Sequence, residues 1–368
     1  MERSLKLPLK ANNSLLISGP SSVKLLKGEG EVLGAPLAVA EKIVVKEDKQ
    51  LPLSALKDAE VEVLLGEGGS INEVEGDAIP QSWRETVERI VRDKESRVMV
   101  MGGVDAGKNS FCTLLANRLL EAEEEVAIID TDVGQSEIGP PTTIGLGLLN
   151  EPAPCLSETP AALLFFVGHI TPSYIKDKVV RGLKKILKDR ACRKRPAIIN
   201  TDGWLSGDEA KSYKLSLIKE ASPTLIVGLG GEPALKEILD EAEAPFAILE
   251  SPSTIHRRSR EERRRLRESG YRRYLKGGKI VALPKSYIEL RSFNGSSVGL
   301  KRNHVNTLLG LLDENGWLIG LGTLKGVDPK SGFMKIFTPT EKGKVRIVEL
   351  GAVKVNEQGK ELGALALK

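Results

Sequence analysis

The chain has 368 residues, of which 28% are charged and only 4% aromatic, and its formal net charge is +4. That length exceeds one ordinary core and predicts two or three domains, and a composition this ordinary excludes a disordered chain. So small a net charge also excludes a surface that binds nucleic acid everywhere, which leaves the clustering of the basic residues as the informative feature.

Residues 1–80 read as a small β-rich domain. Short apolar stretches (Ser14–Ile17, Ser22–Leu26, Glu31–Leu33, Lys42–Val45 and Val61–Leu65) alternate with Gly, Pro, Asn and Lys turns. The opening MERSLKLPLK lacks the apolar stretch of a signal peptide, and no run approaches the roughly 18 apolar residues that cross a bilayer. Cys112, Cys155 and Cys192 are odd in number and widely spaced. These features predict a reducing, cytoplasmic location with no membrane association.

A polar stretch, 66–80, marks the first boundary, and Ser82 with Glu85 has the capping-box spacing that predicts a helix over Trp83–Arg92. From Arg97 the pattern changes to continuous apolar runs between longer helical segments: Val98–Met101, Val126–Ile129, Leu163–Val167, Ala197–Ile199, Thr224–Val227 and Phe246–Leu249. Runs of this kind are buried on both faces. Residues 81–284 are therefore expected to form an α/β domain with a doubly wound, mostly parallel sheet, its ligands lying beyond the C-terminal strand ends.

Residues 285–368 read as a small C-terminal domain containing β structure. A helix is expected over Val305–Leu312, a turn at Asn315-Gly316, and strands at Trp317–Leu321 and Val345–Leu350.

Gly102-Gly103-Val104-Asp105-Ala106-Gly107-Lys108 fits GxxxxGK, the loop whose backbone N–H groups surround phosphate oxygens while its Lys supplies a positive charge. The context supports the match. The loop follows the apolar run Val98–Met101 and opens a helix with Phe111, Leu114, Leu115 and Leu119 at helical spacing, whose N-terminus faces the phosphates.

Asn109 stands where a Ser or Thr hydroxyl usually ligates Mg²⁺, and a hydroxyl follows one residue later at Ser110. The run Val126–Ile129 ends in Asp130-Thr131-Asp132, which brings two carboxylates to a strand end. One can hold a metal or its water while the other takes a proton from an attacking hydroxyl. Mg²⁺ or another divalent cation is thus expected on groups among Asn109, Ser110, Asp130 and Asp132. His169, His256 and His304 show no pairing of a transition-metal site.

The acidic strand end continues as Asp132-Val133-Gly134-Gln135-Ser136-Glu137-Ile138-Gly139-Pro140-Pro141-Thr142-Thr143. This phrase resembles the polynucleotide 5′-hydroxyl kinases related to the kinase subunit of the messenger-RNA cleavage complex and to the nucleolar ribosomal-RNA-processing kinase. Phe166-Val167-Gly168-His169-Ile170-Thr171-Pro172-Ser173 is similar to the family's FxGxxxPS stretch, and Asn200-Thr201-Asp202-Gly203-Trp204-Leu205-Ser206-Gly207 to its NTxGWxxG loop, with Asp202 where many relatives carry a smaller residue. Residues Arg257–Gly277 resemble its Arg-rich lid, and the three-part architecture agrees.

The resemblance implies ATP as co-substrate and Lys108 as phosphate ligand. It further implies Asp132 as general base or metal-linked carboxylate, and Trp204 as part of a substrate clasp. Gln135 and Thr143 of the acidic phrase are expected beside the acceptor.

Residues 255–276 hold ten Arg or Lys against three Glu, too basic for a salt-bridged helix face. In phosphoryl transfer such arginines stabilise the moving phosphoryl group, and a lid excludes water. Arg264 and Arg267 are expected in that role, and Arg263 and Arg272 against the substrate. A second basic cluster, 176–195, is expected to turn its charges outward from Val179, Leu183, Ile186 and Leu187.

The reaction expected from these features is transfer of the ATP γ-phosphate to the 5′-hydroxyl end of RNA, or of DNA, in RNA processing or repair, with RNA-processing proteins as partners. Two other readings fit the same motifs. One is a P-loop switch in which Asp132 and Gln135 orient water, and the other an ATP-binding scaffold of an RNA-processing complex.

Overall fold

The computed structural model describes residues 3–254, 257–284, 286, 288–294, 300, 304–328 and 333–365. At the N-terminus two antiparallel sheets share one core. The first is ordered Arg3–Leu9, Ala59–Leu65, Ser21–Lys27, Lys42–Val45, and the second Ala35–Leu37, Gly30–Val32, Gln50–Ala55, Ser14–Ser18, Ser70–Val74. Arg3–Leu9 and Gln50–Ala55 each contain a proline, which counts against a strand when sequence alone is read.

The core of these sheets is continuous with helices Gln81–Arg92 and Lys108–Leu119, through Trp83, Ile90, Phe111 and Leu114. Trp83 meets Phe111 edge to face, 5.3 Å between ring centres. Asn117 Nδ2 donates to Leu33 O at 2.8 Å and to Ala153 O at 2.9 Å, so the N-terminal sheets are bonded to the second of these helices.

The first helix does not start with a capping box. It begins at Gln81 after Pro80, and the Ser82 hydroxyl donates instead to Glu250 Oε1 at 3.0 Å.

The central sheet is ordered Ala161–Phe166, Thr143–Leu149, Val126–Asp130, Ala197–Asn200, Arg97–Gly102, Leu225–Leu229, Phe246–Leu249. All its pairings are parallel except the two made by Thr143–Leu149, which runs against its neighbours on both sides. That strand was not among the expected runs. One edge of the sheet holds the C-terminal ends of the six concordant strands together with Thr143, and the chemistry-bearing loops lie there.

The last part of the chain forms a sheet ordered Lys279–Pro284, Phe333–Thr338, Leu318–Val327, Thr307–Leu312, Ile347–Val355, Glu289–Ser292, with Glu361–Ala364 on the side of Ile347–Val355. The helix expected over Val305–Leu312 is instead the strand Thr307–Leu312, buried along its whole length. An apolar run of this length satisfies either period, and the partners on both sides decide it. Gly310 lets this strand approach the central domain, since a Cβ there would lie 2.5 Å from Phe166 Cδ1.

The basic helix Lys176–Lys188 faces this sheet, and one of its charges does not point outward: Lys178 is buried and ion-paired with Glu349. Among the described residues no helix is long and apolar enough to cross a membrane.

Candidate active site

The phosphate loop leaves the middle of the sheet. Gly102 has φ 156°, Asp105 φ 58° and Gly107 φ 95°, the last leading directly into helix Lys108–Leu119. The chain thus turns back on itself and presents successive N–H groups ahead of a helix N-terminus, an anion-binding arrangement.

Lys108 is only 7% exposed, and its Nζ donates to Gly102 O at 3.1 Å and Gly103 O at 2.7 Å. Burial pulls its ammonium below the ordinary lysine range, and the Asp132 carboxylate opposes that pull. Of the loop residues expected to contact nucleotide, Val104 is exposed, whereas the Asp105 carboxylate is turned toward the lid.

The two strand-end carboxylates are not equivalent. Asp130 is fully buried and saturated with donors. Oδ1 accepts from Asp132 N and Asn200 Nδ2, and Oδ2 accepts from Glu137 N, Ile138 N and the Ser136 hydroxyl, at 2.6–3.4 Å. Burial and then the neighbouring Asp132 charge push it up to about 7. Asp130 therefore organises the loop 131–138 in this structure, instead of offering an oxygen to a metal.

Asp132 accepts from Gly134 N at 3.1 Å and Gln135 N at 2.9 Å through Oδ1 alone. Its Oδ2 has no hydrogen-bond partner among the described residues. Burial, then Asp202, raise its pKa, and Lys108 opposes them.

Asn109 is likewise engaged: its Oδ1 accepts from Asn200 Nδ2 and its Nδ2 donates to Glu137 Oε1, both at 3.0 Å. Glu137 is buried and ion-paired with Lys49 of the N-terminal sheets. Burial would raise its pKa, but Lys49, with Arg258 and the Asn109 amide, holds it below the ordinary carboxylate range. The Ser110 hydroxyl makes no hydrogen bond among the described residues.

A divalent cation fits what remains. Asp132 Oδ2 and Ser110 Oγ are uncommitted hard oxygen donors beside a phosphate loop, the ligand type Mg²⁺ takes together with water and phosphate. Among the described residues no three His, Cys, Asp or Glu side chains gather as a metal centre, and His256 lies outside the described residues.

The remaining acceptor candidates divide. Gln135 Nε2 donates to Arg263 O at 3.3 Å. Thr143 is wholly buried, its hydroxyl donating to Pro140 O at 2.6 Å, so it secures the turn and does not face a ligand. Trp204 is half-buried on the turn after Ala197–Asn200 and stacks on Tyr213.

The segment expected as a lid is the helix Arg260–Leu275, opened by a capping box of Ser259 and Glu262. Arg263 reaches the phosphate loop at Asp105. Arg264 and Arg267 do not: they bond Glu361, Arg264 to its backbone O at 2.7 Å and Arg267 to its carboxylate at 2.6 and 3.0 Å. Arg272 is exposed, with its Nε 3.4 Å from Gln358 O.

A cleft of about 490 Å³ opens between the lid, the turn 46–49 and the loop 134–139, lined by Lys46, Lys49, Gln135, Arg265 and Arg272 among others. Lys49 and Glu137, 88 residues apart, carry no local signal that would have marked them.

A P-loop nucleotide-binding domain with an arginine-rich helix bonded to its phosphate loop is the class that this fold and site define. Residues 102–277 match the family described as mRNA cleavage and polyadenylation factor CLP1 P-loop. A polyribonucleotide 5′-hydroxyl-kinase of Pyrococcus abyssi is 32% identical over 78% of this chain and 96% of its own length. One of Pyrococcus furiosus is 31% identical with the same coverage. The chain belongs to the polyribonucleotide 5′-hydroxyl kinase family. The structure of a Clp1p–Pcf11p complex superimposes with a TM-score of 0.75 at 14% identity, covering 96% of this chain and 98% of that one, which shows a common fold.

Proposed function

We propose that this site transfers the γ-phosphoryl group of ATP to the 5′-hydroxyl of an RNA end, leaving ADP and a 5′-phosphorylated strand. The observation that carries this reading is Asp132, one oxygen fixed by backbone N–H groups and the other uncommitted, at the strand end beside the Lys108 loop.

In the proposed reaction the loop N–H groups and Lys108 hold the phosphates, and Lys108 exchanges its two carbonyl partners for phosphate oxygens. Asp132 Oδ2 receives the proton of the attacking hydroxyl. Arg263 leaves Asp105 to meet the charge of the moving phosphoryl group, and Trp204 stacks on the terminal base. A Mg²⁺ ion held by Ser110, and by Asp132 only through one of its waters, would supply charge neutralisation. Arg272 and Gln135 line the path of the strand, and RNA-processing proteins are the partners expected.

The test is incubation with γ-labelled ATP, Mg²⁺ and matched 5′-hydroxyl RNA and DNA oligonucleotides, with 5′-phosphorylated controls. Label on the 5′-hydroxyl strands alone, faster on RNA and lost in Lys108→Ala, is the expected result. Free phosphate without labelled strand would establish the hydrolytic switch, and bound ATP with neither product the scaffold.

A further inference from the structure

The turn that carries Trp204 is held by a buried polar network that phosphoryl transfer by itself does not require. Asp202 is 3% exposed, and Lys214, in the second turn of helix Asp208–Ala221, is 0% exposed. Asp202 Oδ1 accepts from Trp204 N at 3.0 Å and lies 3.0 Å from Lys214 Nζ, which also donates to Asp202 O at 2.7 Å. The Tyr213 hydroxyl donates to Asp202 Oδ2 at 2.8 Å. Apolar residues of equal volume commonly match or better a buried ion pair in stability. What such a pair can add is a single defined conformation.

One of the groups it defines borders the phosphate loop. Gly203 passes so close to the phosphate loop that a Cβ would lie 2.7 Å from Val104 N. The Trp204 ring stacks on Tyr213 with 5.8 Å between centroids and 28° between planes. Lys214 and Asp202 also act on Lys108 in opposite senses, so as a pair they fix the turn while adding little net charge beside the phosphates.

We propose that Asp202, Tyr213 and Lys214 are positioning residues for the acceptor: their network holds Gly203 against the phosphate loop and Trp204 at the angle from which it stacks on the terminal base. This rests on the reading of Trp204 as an acceptor contact.

The test is the neutral double variant Asp202→Asn/Lys214→Met, which removes both charges together and leaves neither buried alone. In transfer assays its KM for 5′-hydroxyl RNA is expected to rise about tenfold or more, with the KM for ATP within about twofold of wild type. Tyr213→Phe deletes one hydroxyl without moving a charge, is expected to raise the RNA KM by a few-fold, and decides the matter if the double variant melts below the assay temperature. In a Trp83→Phe/Trp317→Phe background, acrylamide quenching of Trp204 is expected to increase in both variants.

Unchanged RNA KM and unchanged quenching in folded variants would overturn the proposal and leave the pair as mere core filling. Trp204→Ala separates the two readings. If it leaves the RNA KM unaltered, Trp204 is no acceptor contact, whereas increased quenching in the network variants still supports their hold on its ring.

Discussion

Arg263 Nη2 donates to Asp105 Oδ2 at 2.8 Å, and through this bond the lid helix is fastened to the phosphate loop. The backbone N–H of Arg258 takes the same oxygen at 3.0 Å, and Arg265 reaches Asp48 of the N-terminal sheets at 3.3 Å. Arg263 Nε is buried with no partner, a donor already desolvated and uncommitted. Farther along the helix Arg264 and Arg267 are spent on Glu361. Two of the four candidate arginines thus tie the helix to the C-terminal sheet, and one is bonded to the phosphate loop.

An ordering of variants follows from that division. Arg263→Ala is expected to lower kcat about a thousandfold, the scale of an arginine that meets transition-state charge, with little change in melting temperature. Arg267→Ala, which strands the Glu361 carboxylate, is expected to lower the melting temperature by a few degrees and kcat by less than about tenfold. Steady-state kinetics and thermal melts on the two proteins decide it. Equal losses of kcat would contradict the division.

The two aspartates of Asp130-Thr131-Asp132 should fail in different ways. Asp132→Asn keeps an acceptor for the Gly134 and Gln135 N–H groups but cannot take a proton, so kcat is expected to fall by about 10²–10⁴ while nucleotide binding stays near wild type. Asp130→Asn turns an amide NH₂ toward donors that now meet oxygen, so stability is expected to fall along with rate. Nucleotide titration and thermal melts distinguish the two.

The metal assignment makes a separate claim. Because Asn109 is occupied by Asn200 and Glu137, Asn109→Ala is expected to leave the Mg²⁺ concentration for half-maximal transfer within about threefold of wild type. Ser110→Ala, which removes an uncommitted hydroxyl, is expected to raise it about tenfold or more. The reverse order in a Mg²⁺ titration would return the ligand to position 109.

Much of this was legible because it is local. The phosphate loop, the Asp130-Thr131-Asp132 end and the turn at Trp204 are contiguous, and each follows a run of apolar residues that reads as a buried strand. The antiparallel strand Thr143–Leu149 was hidden by its glycines, which resemble turn residues in sequence. The structure gives the reason: a Cβ at Gly145 would lie 1.9 Å from Ile138 O, so the strand needs glycine for the acidic loop to pass over it. The Lys49–Glu137 pair and the hold of Glu361 on the lid join segments 88 and 94 residues apart, and no spacing rule announces contacts set by domain packing. Periodicity places Lys178 near a buried stripe but does not announce a carboxylate waiting behind it.

That last pair yields a prediction with a pH signature. Lys178 and Glu349 are both buried, and Lys178 Nζ also donates to Phe293 O at 2.7 Å. Burial pulls the Lys178 ammonium down and pushes the Glu349 carboxyl up, in each case against the attraction of the partner, so desolvation outweighs pairing. Removing the lysine alone, in Lys178→Met, leaves the carboxylate unpaired and raises its folded pKa further above the unfolded value. A carboxyl shifted in that direction costs nothing at pH below its unfolded pKa, and the cost grows as pH rises toward the folded pKa. Lys178→Met is therefore expected to lose about 3–5 kcal/mol of stability relative to wild type at pH 8 and clearly less at pH 5, while Lys178→Met/Glu349→Gln recovers most of the loss at pH 8. Urea unfolding at the two pH values measures all three, and a Lys178→Met deficit that shrinks on going from pH 5 to pH 8 would show that the Glu349 charge is not what burial opposes.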